Sequence, residues 1–426
     1  MATILHPKLP VAKGKIALTS AASPTPAAKG ETSWTGVAFG LALAALAAYQ
    51  LFKLPPVLPV MLDAYGYDRV LAGGFMSVFA LAGLMLSLRV GRGLKRHGVW
   101  PYLAAAFVLF LAGEALALAV PASGWLMLLA RGLEGVGYTV CAIAGPLLAN
   151  MNASRAHLPL VVGLTATWIP VGQVSANLIS LPVVGRGLWW PLWGVGLVLT
   201  LALAVWALAL RRSSALDSDT RRGGERSAAE ASAGQRRALV VAAFIFALWS
   251  GQYHGYMTWL PQFLVEVHGF DAGNAVLAYT LPAAAVMVMC VVTGAMLRAG
   301  APLAPLFVGS IAVQTAVWLL VPVSGGGVLG TLSLIAYGVT AGITPVCLFA
   351  MPSAVMGAGR ADARAFGVVM TGRNFGVLVG PVLLAQAVTL AGNWRFVWPL
   401  FGALTLIAGL AAIDLARRLK VLAQAS

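Results

Sequence analysis

Five charged side chains interrupt stretches that are otherwise apolar: Lys53, Glu114, Arg131, Glu134 and Arg373. An ionised side chain at the centre of a membrane costs about 2.5–3.5 kcal/mol on insertion scales, so such residues face one another or a polar cavity. Three cations minus two carboxylates leave a formal charge of +1, and each proton taken up by a glutamate adds one more. A cavity with that balance prefers an anion. Protonation of Glu114 or Glu134 would release a cationic partner for it, which is proton–ligand linkage. Arg131 and Glu134 are spaced i, i+3 and share a helix face, so they read equally as a structural ion pair. Glu114 has the alternative of a neutral, hydrogen-bonded state.

Depth brings three of these charges together. Lys53 lies nine residues before Leu62, Glu114 seven before Pro121 and Arg131 six after Trp125. At 1.5 Å per residue these are roughly 9–14 Å below one surface. Lys53 also precedes Pro55-Pro56, which remove backbone donors and break the helix at that depth. Irregular backbone in a membrane belongs where it lines protein or a water-filled cavity, so Lys53 is expected to face a central cavity. Arg373, followed by Asn374, sits in a Gly-rich run and is expected to do the same. Gln252, Tyr253, His254, Tyr256 and Trp259 form a polar and aromatic group at similar depth, suited to the opposite wall of a small-solute site. His254 could exchange a proton near neutral pH, or serve only as a packing donor. Trp168 and Gln173 are weaker candidates for the same cavity.

Other motifs carry little. Gly325-Gly326-Gly327-Val328-Leu329-Gly330 matches a dinucleotide fingerprint by letters, but it follows no strand and reads as a turn. There is no P-loop, no His-Glu-x-x-His and no Gly-x-Ser-x-Gly, so neither an ATP-driven pump nor an enzyme is indicated. Cys141, Cys290 and Cys347 all fall within apolar runs, and no cofactor, metal or disulfide is expected.

The elements that position these residues are membrane helices. Sixty per cent of the chain is hydrophobic and ten per cent charged, against about 25% charged in soluble domains. Apolar runs of spanning length lie near 35–61, 71–90, 100–121, 125–150, 158–183 and 188–210. A second set lies near 239–264, 273–297, 303–322, 327–350, 365–390 and 395–416. The expected fold is all-α, with twelve spans in two six-helix bundles, 34–210 and 238–418. A cytoplasmic tail (1–33), a solvated linker (211–237) and a short C-terminal tail (419–426) complete it.

Of 28 Lys and Arg residues, three lie inside spans, and Arg69, Arg186 and Arg395 lie in the expected outer connections. The other twenty-two, including Arg155 and Arg360, fall on the opposite side. This positive-inside bias places both termini in the cytoplasm. The net charge of +15 is therefore topological, and no nucleic-acid partner is expected. The expected partners are a small solute, protons and the lipid bilayer, with the chain a monomer.

The two bundles repeat one sequence at an offset of about 204 residues. Leu58-Pro59 and Gly66-Tyr67-Asp68 return as Leu260-Pro261 and Gly269-Phe270-Asp271. Gly163, Thr167 and Gly172 return as Gly367, Thr371 and Gly376. The charges do not repeat. Lys53 matches Gly255, Arg131 and Glu134 match Tyr337 and Thr340, and Arg373 matches Ile169.

Two repeated six-span halves joined by a basic loop resemble the major facilitator superfamily, from about Trp34 to Lys420. Gly91-x-x-x-Lys95-Arg96-x-Gly98 is similar to its Gly-x-x-x-Asp-Arg-x-Gly gating loop. Arg131-Gly132-Leu133-Glu134-Gly135-Val136-Gly137 resembles its fourth-span motif, and Gly376 through Gly380-Pro381 its gating-helix pattern. Lys95 replaces the family's Asp, which implies a different latch on the cytoplasmic side. Lys53-Leu54-Pro55-Pro56 with Trp259-Leu260-Pro261-Gln262-Phe263-Leu264 resembles the cyanate/nitroimidazole permease branch, although that branch carries Arg directly before Pro. The resemblance implies alternating access in a bacterial inner membrane, with proton symport of a small anion as the expected activity. The rivals are a proton-driven drug or metabolite exporter and a transport-inactive receptor.

Overall fold

The computed structural model describes residues 31–154, 156–165, 167–213, 231–323, 325–357 and 363–424. The first 30 residues of the expected N-terminal tail, residues 214–230 of the expected linker, Arg155 and Arg360 lie outside the described residues. All regular elements among the described residues are helical. The first half comprises α1 (Trp34–Phe52), α2 (Leu58–Tyr65), α3 (Arg69–His97), α4 (Trp100–Ala119), α5 (Gly124–Met151), α6 (Leu158–Thr165), α7 (Trp168–Val184) and α8 (Trp190–Ser213). The second comprises α9 (Ala233–His268), α10 (Ala272–Arg298), α11 (Leu303–Val317), α12 (Gly327–Met356), α13 (Ala363–Ala391) and α14 (Val397–Gln424).

Eleven of the twelve expected spans are helices, or helix-plus-turn segments, long and apolar enough to cross a membrane. The position of the fifth is filled by two shorter pieces, α6 and the 17-residue α7. Pro170 stands in the first turn of α7, where a missing backbone donor is tolerated at a helix start but not in an interior. The last helix continues through Gln424, across most of the expected C-terminal tail.

The repeated Gly-aromatic-Asp signature has a local reason. Gly66 ends α2 in the left-handed region at φ 59°, and Gly269 ends α9 there at φ 66°. Glycine adopts that conformation without a Cβ penalty. Two residues on, Asp68 and Asp271 cap the next helices, accepting from Leu71 N and Asn274 N. These bonds stabilise the carboxylate form, so Asn274's backbone N–H holds the exposed Asp271 carboxyl below its ordinary value. We call the end of the molecule bearing these two turns the capped end.

The first span is broken where its sequence demands it. Helix α1 stops at Phe52, Lys53 is its C-cap, and a 3-10 turn at Pro55–Val57 leads into α2. The break packs against α7, α9 and α10, at the boundary between the halves. Within the halves α5 packs on α1, α3 and α4, while α9 packs on α13 and α14. Between halves, α3 lies along α13 and α7 along α10. The repeated Gly172 and Gly376 do the same work. A Cβ on Gly172 would lie 2.6 Å from Tyr49 N, and one on Gly376 would lie 2.6 Å from Gly251 N. Only glycine lets α7 meet α1, and α13 meet α9, at backbone distance.

The expected gating loop is helix. Gly91, Lys95 and Arg96 belong to the last turns of α3, and the chain turns only at Gly98, with φ 82°. Lys95 and Arg96 are exposed, and cations there complement the carbonyl end of the helix. Among the described residues neither forms an ion pair.

Candidate functional site

The first half encloses a polar cluster with no exposure at all. Lys53 Nζ donates to Gln50 Oε1 at 2.6 Å, Glu134 Oε1 at 3.1 Å and Glu114 Oε1 at 3.3 Å. Arg131 Nη1 reaches Glu134 Oε2 at 2.5 Å. Gln50 Nε2 donates to Glu114 Oε1 at 2.6 Å and to Thr200 Oγ1 at 3.2 Å. The indole of Trp193 lies 4.8 Å from Lys53 Nζ, and the Phe79 ring lies 4.4 Å from the Arg131 guanidinium. Two cations and two carboxylates, all fully buried, make a neutral quartet when ionised. Gly196 makes room for it, since a Cβ there would overlap Glu114 Oε1.

Arg131 was expected to touch substrate, and its geometry gives it other work. Pro55 has no N–H to offer the carbonyl of Leu51, four residues back. Arg131 Nη2 takes that carbonyl at 3.0 Å, Nη1 takes Gln50 O at 2.8 Å, and Nε takes Phe75 O at 3.3 Å. The guanidinium thus satisfies the backbone freed by the proline break and ties it to α3 and α5. The two glutamates differ. Each oxygen of Glu134 holds a cation, whereas Glu114 Oε2 is buried with no partner.

A second group lies between the halves. Gln173 on α7 donates to Tyr279 Oη at 3.0 Å and accepts from Tyr253 Oη at 3.2 Å, so its amide joins two tyrosines of the other half. Tyr253 stacks on Trp249 at 5.1 Å. The His254 ring faces Phe52, next to Lys53, at 6.5 Å across the boundary. His254 Nδ1 bonds Ser250 O at 3.0 Å, while its Nε2 is buried without a partner. Arg373 is close enough to act electrostatically on both His254 and Tyr253. It is 8% exposed and bonds Asn374 Oδ1 at 3.1 Å. Among the described residues it forms no ion pair.

Three expected wall residues point elsewhere. Gln252 accepts from Tyr337 Oη at 3.0 Å, Tyr256 packs on Tyr337 and Trp318, and Trp259 Nε1 donates to Pro381 O at 3.0 Å. All three contact residues of the second half. Trp168 packs on Tyr138, within the first half, at 6.0 Å. Sequence reasoning missed Gln50, Thr200 and Trp193 around the quartet, and Phe52 and Tyr279 between the halves. Gln50 was within reach, lying three residues before Lys53 on the same face.

At the capped end Arg69 of α3 forks onto Glu266 of α9, with Nη2 to Oε1 at 2.7 Å and Nη1 to Oε2 at 3.0 Å. Trp394 Nε1 also donates to Glu266 Oε2, at 2.7 Å. This polar latch joins the halves at the end opposite the Lys95 turn. Both partners are partly solvated, so the link is worth about 1 kcal/mol. Arg69→Ala is expected to raise the maleimide modification rate of a cysteine at the buried Met61 of α2, the helix that ends at the Gly66 turn (Met61→Cys), about fivefold. An unchanged rate would show that packing alone closes this end.

Residues 38–363 match the family model described as Major Facilitator Superfamily. No curated protein matches the chain. Among solved structures, the chain is similar to peptide transporter POT in complex with sulfate, with a TM-score of 0.74 and 14% identity over 97% of this chain and 99% of that one. It is also similar to a mutant of nucleoside transporter NupG, with a TM-score of 0.68 and 14% identity over 89% of this chain and 99% of that one. At that identity the likeness is one of fold.

Proposed function

This chain belongs to the Major Facilitator Superfamily, and from that premise we propose that it carries a small anion across the membrane by alternating access, in symport with protons. Transport itself follows from the family. The anion reading rests on Arg373, a nearly buried cation on α13, the helix that lies along α3 of the first half, and one that forms no ion pair among the described residues. A buried charge is strongly destabilising unless something compensates it, and an anionic solute would. His254, whose Nε2 is unpartnered, and Tyr253 lie within its electrostatic reach. Lys53 and Arg131 already hold carboxylates, so the anion falls to Arg373.

The quartet supports the proton half of the reading. Glu114 Oε2 is the carboxylate oxygen left open, so the proton goes there while Glu134 stays ionised between its two cations. Lys53 then loses one counter-charge at the proline break, and the adjacent Phe52 faces the His254 ring at 6.5 Å. The capped end faces outward on this reading, since the described basic turns cluster at the other end.

Uptake of small anions into proteoliposomes under an imposed pH gradient tests the proposal. Arg373→Ala is expected to weaken anion binding roughly 10- to 100-fold, the range for a lost charge-assisted hydrogen bond, with Arg373→Lys intermediate. If no anion binds and neutral or cationic drugs do, the reading is wrong and the exporter alternative takes its place.

A further inference from the structure

Asn177 has no assigned role, yet it is a polar side chain with no exposure whose amide nitrogen and oxygen both lack a hydrogen-bond partner. An orphaned buried amide is expensive and calls for an explanation. Its direction follows from α7. Gly172 and Ala176, four residues apart, share the face that meets α1, because Gly172 abuts Ala48 and Tyr49 N. Gln173 and Asn177, also four apart, share the face about 100° round from it. Gln173 shows where that face looks, onto Tyr253 and Tyr279 of the other half. Ser180 continues the stripe, fully buried.

Asn177 lies one turn nearer the capped end than Gln173, because the C-terminal end of α7 leads to Gly185, which abuts Gly273 at the start of α10. One turn is about 6 Å. Arg373 acts electrostatically on Tyr253, and Tyr253 is bonded to Gln173. The two halves therefore present a positive charge on α13 and, on the α7 face that looks onto the second half, an amide that must both give and receive a hydrogen bond.

We propose that Asn177 is a second substrate contact, reading a group that sets a donor beside an acceptor, so that the transported solute is a small organic anion bearing a primary amide or ureido group. This rests on the anion reading of Arg373 and adds to it. A carboxamide pairs with the Asn177 amide through two reciprocal hydrogen bonds. A terminal methyl group in its place leaves both amide atoms unsatisfied. Sites built to hydrogen-bond a polar group reject the analogue lacking it far more strongly than apolar pockets reject a missing methylene.

The test compares succinamate, glutaramate and adipamate with butyrate, valerate and hexanoate, the carboxylates of equal chain length without the amide, on the purified full-length chain in lipid nanodiscs. At least one amide is expected to bind at least about tenfold more tightly than its alkyl partner, and Asn177→Leu should reduce that preference to within about twofold. Equal affinities within every pair in the unaltered protein, with binding lost in Arg373→Ala, would overturn the Asn177 contact, leave it holding only ordered water, and spare the anion site. A preference that survives in Asn177→Leu, or in Asn177→Ser should the leucine variant not fold, overturns it as well. Failure of these six and of all other small anions to bind would remove both readings.

Discussion

Arg131→Ala is expected to destabilise the protein by at least about 3–5 kcal/mol, the effect of removing one partner from a buried ion pair. The substitution leaves Glu134 facing Lys53 alone. It also orphans Leu51 O and withdraws the guanidinium from Gln50 O and Phe75 O, and each buried polar group left unsatisfied adds to the loss. The measurement is thermal unfolding of the purified protein in detergent. Arg131→Lys should recover little, because an ammonium cannot fork across several carbonyls. The double variant Arg131→Ala with Glu134→Gln should recover part of the loss, since it no longer buries an unpaired carboxylate. If Arg131→Ala instead unfolds at the same temperature as the unaltered protein and merely loses anion binding, Arg131 is a substrate ligand and the scaffold account is wrong.

Glu114→Gln and Glu134→Gln are expected to part company, although both neutralise one carboxylate 3.1–3.3 Å from the same ammonium. Glutamine at 114 keeps an oxygen for Gln50 and Lys53 and mimics the protonated acid. The fold should persist, with the anion site fixed in its protonated condition. On the proposed reading a proton on Glu114 favours the anion in the unaltered protein, so affinity should rise as pH falls. In Glu114→Gln it should stay at its acid-side value throughout, and a pH gradient should no longer drive accumulation although exchange continues. Glutamine at 134 leaves Lys53 with Glu114 alone and Arg131 with no carboxylate, so this variant should lose stability on the scale given for Arg131. A Glu114→Gln protein that retained the ordinary pH dependence would place the proton elsewhere, with His254 next in line.

The duplicated architecture was legible because its signals are local and repeated. Gly66 and Asp68 return as Gly269 and Asp271 since each pair ends one helix and begins the next. Depth counting brought Lys53, Glu114 and Arg131 to one level, and the structure joins them with Glu134. Facing was harder to read. From Trp249 to Leu264 every residue of α9 is buried, so no polar side distinguishes Tyr253 and His254, which look across the boundary, from Gln252, Tyr256 and Trp259, which do not. The role of Arg131 was hidden for another reason, because its partners are mostly carbonyls and a carbonyl has no letter in the sequence. Asn177 was hidden in an apolar run that also holds Pro170 and Pro182, where one amide carries no visible periodicity.

The balance of the quartet sets how the carrier would feel voltage. Each elementary charge moved through the membrane field is worth about 2.3 kcal/mol per 100 mV, but two ammonium-type groups locked to two carboxylates cancel. On the proposed reading, a proton on Glu114 adds one positive charge and a monovalent anion at Arg373 adds one negative. The empty carrier and the doubly loaded one then hold the same charge, and the electric field favours neither direction of the cycle. Such a protein answers to concentration and acidity alone. It would go on accumulating its solute in a cell whose membrane potential had collapsed, and without a pH difference it would carry that solute only down its own gradient.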